Sequence, residues 1–558
     1  MIKMKIGVNN ILLELHYGAK VRDAVLKYYS QQGKKVPRPF PRVEDGYGNR
    51  VDAEGGLSSG NSLFIMTAGG RRKSLTQLFL LLLLAGLFSA CGSSGKVLTG
   101  GRTEREAVIF AVNDMHATLD NFPKLAYITD SLRKIYPHML LVGAGDNQTG
   151  NPVNDQYPER GLPMIELMNA TGFNLSAVGN HEFDTSPEGF SNLIRKADFD
   201  FICANMSAGN PDDFKIKPWK IITLPNGLKL AFLGLVQINR NGIPDSHPGK
   251  LKGFTFRSPF EAARDYLWLK DRSDIFIALT HIGFENDVKL AEIMPPAIDL
   301  IIGGHSHTRV EKEQIHNGIM ITQADHKLNY GTLIRLSLRS DGSLTRSMQL
   351  IRIRKAGNES PAIRAMVDEY NDIPLLKEVI AWASDDFSSK EELGYLMADA
   401  QKDIAGADIA LVNPGGVRIR SLEKGPVRAK DVYQLDPFGN ELIVTRLTGK
   451  EIHSLMLAAY PMDDRQPVFS SGIFTVLKPG TGGELADVTL FTGDGTPLDM
   501  DKTYTVAMNS YMTQVYQYQH RDPGQSHYIT TADALIDYLK KNQNIRSYRN
   551  EKRFRIEH

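Results

Sequence analysis

Residues 178–184 read Val-Gly-Asn-His-Glu-Phe-Asp, placing an amide, an imidazole and a carboxylate where an apolar run stops. From Glu106 onward short β-rich apolar runs alternate with amphipathic stretches, which predicts an α/β fold. The stops resemble one another. Ala107 to Val112 ends in Asn113-Asp114-Met115-His116, Met139 to Val142 in Gly143-Ala144-Gly145-Asp146-Asn147, and Asn174 to Val178 in Gly179-Asn180-His181-Glu182. Ile275 to Leu279 ends in Thr280-His281-Ile282-Gly283, and Asp299 to Ile302 in Gly303-Gly304-His305-Ser306-His307. Five predicted strands deliver Asp, Asn or His at the same end, where Gly145, Gly179, Gly303 and Gly304 let the backbone turn sharply.

Ligands of an open α/β sheet bind at the carboxyl ends of its strands, so Asp114, His116, Asp146, Asn180, His281, His305 and His307 are expected to share one cavity. They outnumber the ligands of one tetrahedral ion and suit two divalent cations about 3.5–4 Å apart with one carboxylate between them. Imidazole-rich ligation favours transition ions, and zinc or manganese is expected. A lone His at a strand end is more often a hydrogen-bonded structural residue; the coincidence across five strands carries the reading.

The ordered set Asp114-x-His116, Gly145-Asp146, Gly179-Asn180-His181-Glu182, His281 and Gly304-His305-Ser306-His307 resembles the calcineurin-like metallophosphoesterases, and "NDMH", "GNHEFD" and "GGHSH" resemble their 5′-nucleotidase branch. The resemblance covers residues 106–355 and implies a four-layer α/β/β/α sandwich. It further implies that Asp114, His116 and His307 hold one metal, that Asn180, His281 and His305 hold the other, and that Asp146 bridges them. His181 is implied as the catalytic histidine, with Asp184 as its partner.

Downstream, "AIRAMVDEYNDI" predicts an amphipathic helix, and residues 356–373 are expected to form a hinge linker before a separate α/β domain at 374–558. That half resembles the C-terminal substrate-binding domain of the 5′-nucleotidases through Asn413-Pro414-Gly415-Gly416-Val417-Arg418, Asp436-Pro437-Phe438-Gly439-Asn440 and Val506-Ala507-Met508-Asn509-Ser510-Tyr511. The likeness implies substrate contacts by Asn413, Arg418 and Asn440, and a base stacked between Phe438 and Tyr511. The chain departs from the family at two places. Thr513 to Tyr518, with Gln517, stands where relatives have Gly-Gly-Asp-Gly, and Ser389-Lys390 stands where they have an Arg.

Upstream, Arg71-Arg72-Lys73, the run Leu78 to Phe88 and Ser89-Ala90-Cys91 have the order of a secretory signal, and "LFSAC" resembles a bacterial lipobox with Cys91 as the lipidated residue. The eleven-residue run is too short for a bilayer that needs about 20 residues. An exported, lipid-anchored envelope protein is expected, with residues 66–91 as its signal and residues 1–65 as an extension from a start placed too early. The rival reading is a small N-terminal unit with a strand in "KIGVNNILLELHYG". If Cys91 is processed, Cys203 remains as the sole thiol and no intramolecular disulfide forms.

With 65 basic and 64 acidic side chains the net charge is +1, which gives no footprint for nucleic acid. The expected activity is metal-dependent hydrolysis of nucleoside 5′-monophosphates. UDP-sugars, 2′,3′-cyclic nucleotides and non-nucleotide phosphoesters are the alternative substrates. A noncatalytic surface lipoprotein and a thiosulfate-carrier hydrolase are the alternative classes.

Overall fold

The structure, a computed structural model, describes residues 4–66 and 104–557 apart from 16–18, 35, 38, 156, 210–213, 240–241, 247, 295–296, 373, 461–467, 481–484 and 517. The signal-like stretch with Cys91, and Gln517, lie outside the described residues.

Strands that are apolar on both faces demand cover on both sides. Two six-stranded sheets supply half of that cover to each other. The first contains Arg105–Val112, Leu140–Gly143 and Leu175–Ala177 in parallel, and the second contains Lys229–Val236, Ile275–His281 and Leu300–Ile302 in parallel. Ile109, Val142 and Leu175 of one sheet interdigitate with Phe232, Ile277 and Leu300 of the other. On the outer face of the first sheet, helices Phe122–Ile135, Leu162–Thr171 and Pro187–Lys196 bury Leu125, Met168 and Leu193. On the outer face of the second, Pro259–Asp265 and Phe284–Ile293 bury Ala262 and Val288. The result is a four-layer α/β/β/α sandwich. The expected strand ends belong to two facing sheets, three to one and two to the other, rather than to one open sheet. Apolar runs do not record which sheet they join; the two-sheet sandwich was implied by the resemblance to the phosphoesterases and not by the runs themselves.

Helix Pro361–Asn371 buries Ile363, Val367 and Tyr370 against the sandwich, and Ser360 N–H donates to Pro123 O at 2.8 Å. The segment that joins the two domains therefore starts after Asn371. Beyond it a five-stranded sheet runs in the order Phe469–Ser471, Ile409–Val412, Thr503–Asn509, Glu441–Thr448 and Gln525–Thr530. Helices Lys390–Ala405 and Thr531–Asn542 pack together against it, and Phe554–Ile556 pairs in parallel with Ile473–Pro479.

Residues 4–66 fold as a unit with a core of Ile6, Val8, Leu13, Ala24, Val43 and Ile65. Strands Met4–Val8 and Ile11–Leu15 make a hairpin whose turn residues, Asn9 and Asn10, have φ of 47° and 67°. That turn chemistry belongs to two-residue hairpins. Met66 is the last residue of the strand Ser62–Met66, so a chain beginning there lacks the whole unit. Its edge strand Arg50–Val51 pairs antiparallel with Thr308–Arg309, directly after His307.

Candidate metal centre

All seven residues expected as ligands meet at one edge of the sandwich. His116 Nε2 and His307 Nε2 are 3.0 Å apart, and His307 Nε2 is 3.4 Å from Asp114 Oδ1. His281 Nε2 is 3.1 Å from Asp146 Oδ2, and His305 Nδ1 is 3.0 Å from Asn180 Oδ1. The donor atoms of Asp114, His116 and His307 form one compact group, and those of Asp146, His281 and His305 form a second. Asp146 also groups with His116 and His181, so it reaches both sides. His281 Nε2 has no hydrogen-bond partner of good geometry among the described residues despite its nearness to Asp146, as expected of donors aimed at a common point rather than at each other. A buried set of imidazoles, carboxylates and an amide oxygen arranged in this way fits two divalent ions.

The backbone is bent to make this possible. Asp114, His116, Asp146, His305 and His307 all have positive φ, from 46° at His116 to 80° at His305. Such residues cost about 1–3 kcal/mol each and collect at functional sites. Gly304 answers a different demand, because a Cβ there would lie 2.5 Å from Ala144 O and 2.7 Å from His281 Nδ1.

Charge is unevenly held. Burial would raise the Asp146 carboxyl, but the adjacent His281 imidazole overcomes it and keeps Asp146 well below the usual range. Burial raises Asp114, only partly offset by His281. His281 is pushed up to about 10, since Asp146 outweighs the burial that opposes its charge. His116 and His307 are driven well below the ordinary value by burial, with His307 next in line for His116 and His326 for His307. These are neutral rings with free lone pairs.

His181 stands beside this cluster, its ring 5.2 Å from that of His116. Its Nδ1 lies 2.6 Å from Asp184 Oδ2, and its backbone N–H donates to Asp146 Oδ1 at 2.8 Å. Burial works against charge on His181, but Asp184 wins and the imidazole is raised above its usual value. Lys250 Nζ donates to Asp184 O at 2.6 Å, fixing the pair from behind.

Two residues at the site went unassigned in the sequence. Glu182, fully buried, accepts from the backbone N–H of Asp146 at 3.0 Å, Asn147 at 2.8 Å and Gly179 at 2.6 Å, which ties two of the motif loops together. Burial and the Asp146 charge push it to about 7, while its N–H donors favour the carboxylate form. His326 stacks on His307 with ring centroids 4.7 Å apart and planes 3° off parallel. Only the place of Glu182 inside the quoted motif hinted at the first; no pattern marked the second.

The substrate-side residues cluster in the C-terminal domain. Asn413 Oδ1 accepts from Asn509 Nδ2 at 2.7 Å, and Arg418 lies over the Phe438 ring at 5.2 Å. Strand register sets Leu442 opposite Asn509, and Glu441 N–H donates to Ser510 Oγ at 3.1 Å, which holds the loop of Phe438 and Asn440 beside Tyr511. Phe438 and Tyr511 make no ring contact with each other among the described residues. After burial, Arg418 feels Glu54, Arg22 and Asp23 of the N-terminal unit and then Asp184, and Tyr511 feels Asp245 and Asp23, so this face looks toward both the N-terminal unit and the His181–Asp184 side of the centre. Among the described residues no helix is long and apolar enough to cross a membrane.

Residues 107–309 match the calcineurin-like phosphoesterase family, and residues 379–517 match the 5′-nucleotidase C-terminal domain. The chain is 27% identical over 470 residues to the trifunctional nucleotide phosphoesterase protein YfkN of Bacillus subtilis, covering 73% of this chain and 32% of that one. It thus spans about a third of that relative's length. It is 26% identical to a 5′-nucleotidase of Vibrio cholerae, over 73% of this chain and 83% of the other. The crystal structure of a 5′-nucleotidase precursor from Thermus thermophilus shares the fold with a TM-score of 0.66 and 24% identity, covering 81% of this chain and 99% of that one. The chain thus carries a calcineurin-like phosphoesterase match followed by a 5′-nucleotidase C-terminal domain match, on a fold shared with a 5′-nucleotidase precursor.

Proposed function

We propose that the chain hydrolyses phosphomonoesters, nucleoside 5′-monophosphates foremost, to an alcohol and inorganic phosphate. The observation that carries this is the meeting of seven ligand-type side chains from two sheets around the shared carboxylate of Asp146. Asp114, His116 and His307 are assigned to one ion, Asn180, His281 and His305 to the other, with Asp146 between them. Zinc or manganese suits this donor set. When bound, two such ions supply Lewis-acid charge for the phosphoryl oxygens and make water a nucleophile at neutral pH.

The remaining work belongs to the protein. His181, with Nδ1 engaged by Asp184 and its affinity for a proton raised, presents a protonated Nε2 to a phosphoryl oxygen or to the leaving oxygen. Arg418 offers a fork of donors to phosphate oxygens, and Asn413 and Asn440 orient the substrate. A base entering between Phe438 and Tyr511 gains about 1–3 kcal/mol per stacked ring. The names of the relatives, a nucleotide phosphoesterase and a 5′-nucleotidase, support the nucleotide reading.

Phosphate release from AMP, UDP-glucose, 2′,3′-cyclic AMP and glycerol phosphate, with and without chelator, tests this. AMP is expected to be the best substrate and chelator to abolish its turnover; release that persists in chelator overturns the two-metal reading. We also read Arg71 to Cys91 as an export and lipidation signal. N-terminal sequencing and mass of the mature protein test that: a lipidated Cys91 is the expected first residue, and the unit of residues 4–66 then belongs to the uncleaved chain.

A further inference from the structure

The loop that carries His305 and His307 is held by the sandwich, through His305 N–H to Asp114 and Thr308 N–H to Gln323, and also from outside it. Both histidines have positive φ, and the short strand that follows, Thr308–Arg309, pairs with Arg50–Val51 of the N-terminal unit. More of this unit converges on the same loop. Gly56 N–H donates to His305 O at 3.1 Å. Gly55 and Gly56 approach so closely that a Cβ on Gly55 would sit 2.1 Å from Ser306 O, and one on Gly56 would sit 2.5 Å from His305 Nε2. Asp52 Oδ1 lies 3.8 Å from Nε2 of His326, the ring stacked on His307, and Asp325 holds the other nitrogen of that ring at 2.6 Å. Farther out, Ser62 N–H donates to Glu285 at 3.0 Å and Asn286 Nδ2 to Ser58 Oγ at 3.0 Å.

We propose that in the uncleaved chain residues 50–57 are a clamp on loop 305–309, which carries the expected ligands His305 and His307: docking of the N-terminal unit and retention of the two ions are coupled. The clamp acts on His305 and His307 through the strand pairing, the Gly56 bond and the His326 stack, so these are positioning contacts. Residues in left-handed conformations persist only where their surroundings hold them, so loss of these contacts loosens His305 and His307 at their donor positions. Coupling is reciprocal: a unit that tightens metal binding is itself held tighter by metal. The proposal rests on the two-metal reading above, and its test separates the two.

The unaltered chain, residues 1–558, is loaded with manganese or zinc and its metal content measured, then amide hydrogen exchange is followed at Val51, Gly56 and Arg309 before and after chelation. The expected result is two ions per chain and exchange at those amides at least tenfold faster once the ions are removed. Two ions with exchange indifferent to chelation overturns the clamp and leaves the metal reading intact; a chain that takes up no ion overturns the metal reading itself. Gly56→Leu supplies the converse measurement. It is expected to lose its ions to a competing chelator at least tenfold faster than the unaltered chain, with the amides of Ile109 and Ile277 in the sandwich still protected. Equal retention in a variant whose Val51 amide has lost protection counts against the clamp.

Discussion

At the scale of single residues, truncation separates groups that hold metal from groups that act on substrate. His181 touches Asp184 and groups with His116 and Asp146, but the groups Asp114–His116–His307 and Asp146–His281–His305 are complete without it. His181→Ala is therefore expected to keep two ions by elemental analysis and to lower kcat for AMP by about 10²–10⁴-fold, the range of a lost general acid. Asp146→Asn is expected to lose both activity and ions, because that carboxylate serves both groups. Glu182 works differently: it touches no expected substrate or metal position but satisfies three backbone N–H groups in two loops. Glu182→Gln keeps one carbonyl oxygen for those donors, and a buried donor left unsatisfied costs about 1–3 kcal/mol. A lower Tm in metal-free protein, followed by thermal unfolding, checks it. The meeting of the seven expected ligand positions was legible because Asp, Asn or His closes five successive apolar runs, a coincidence that no single strand end provides. Glu182 was not, since a carboxylate that serves backbone N–H groups leaves no periodic trace.

At the scale of elements, the apolar runs foretold the strands closely, as Ile275–His281 and Arg105–Val112 show, because strands covered on both faces have no polar alternation to obscure them. The N-terminal hairpin was harder to read, since "VNNI" turns through two asparagines and appears as one strand unless their tolerance of positive φ is counted. Turn elements also carry the strictest constraints. Gly304 sits where a methyl would strike Ala144 O and His281 Nδ1. Gly304→Ala is expected to bind metal at least tenfold more weakly while its far-ultraviolet circular dichroism stays unchanged, a pairing that separates a displaced ligand loop from a lost fold. In the C-terminal domain, the loop at Phe438 and the helix Ser510–Val515 meet through neighbouring strand ends. If a base stacks there, Phe438→Ala and Tyr511→Ala each raise KM for AMP about five- to a hundredfold, and leave KM for glycerol phosphate within twofold. An equal rise for both substrates would show that these rings support packing instead.

At the scale of the whole molecule, the relation of the N-terminal unit to the sandwich was not written in any local pattern, because docking depends on shape that only the folded partners possess. Its interface nevertheless contains a titrating group whose sign can be worked out. Glu285 accepts from Ser62 N–H and from the Asn61 side chain, and burial pushes its carboxyl up to about 7. Asp45, which faces it from the unit, is likewise raised by burial, to about 6, and Tyr47 lies within reach of both charges. Undocking returns Glu285 to water, where a glutamate titrates near 4.3. A carboxyl whose value is higher in the docked state favours docking fully below its free value and loses that contribution as pH climbs toward the docked value. Docking is thus expected to weaken between about pH 4.5 and pH 7 and to level off above. Exchange at the Val51 and Gly56 amides, corrected for the intrinsic pH dependence and measured at saturating metal, should accelerate across that range. Glu285→Gln keeps an acceptor for Ser62 but cannot ionise, so its corrected exchange should vary less with pH than that of the unaltered chain. If the variant and the unaltered chain follow the same curve, the pH dependence belongs to other groups, and Glu285 is only a hydrogen-bond acceptor in the interface.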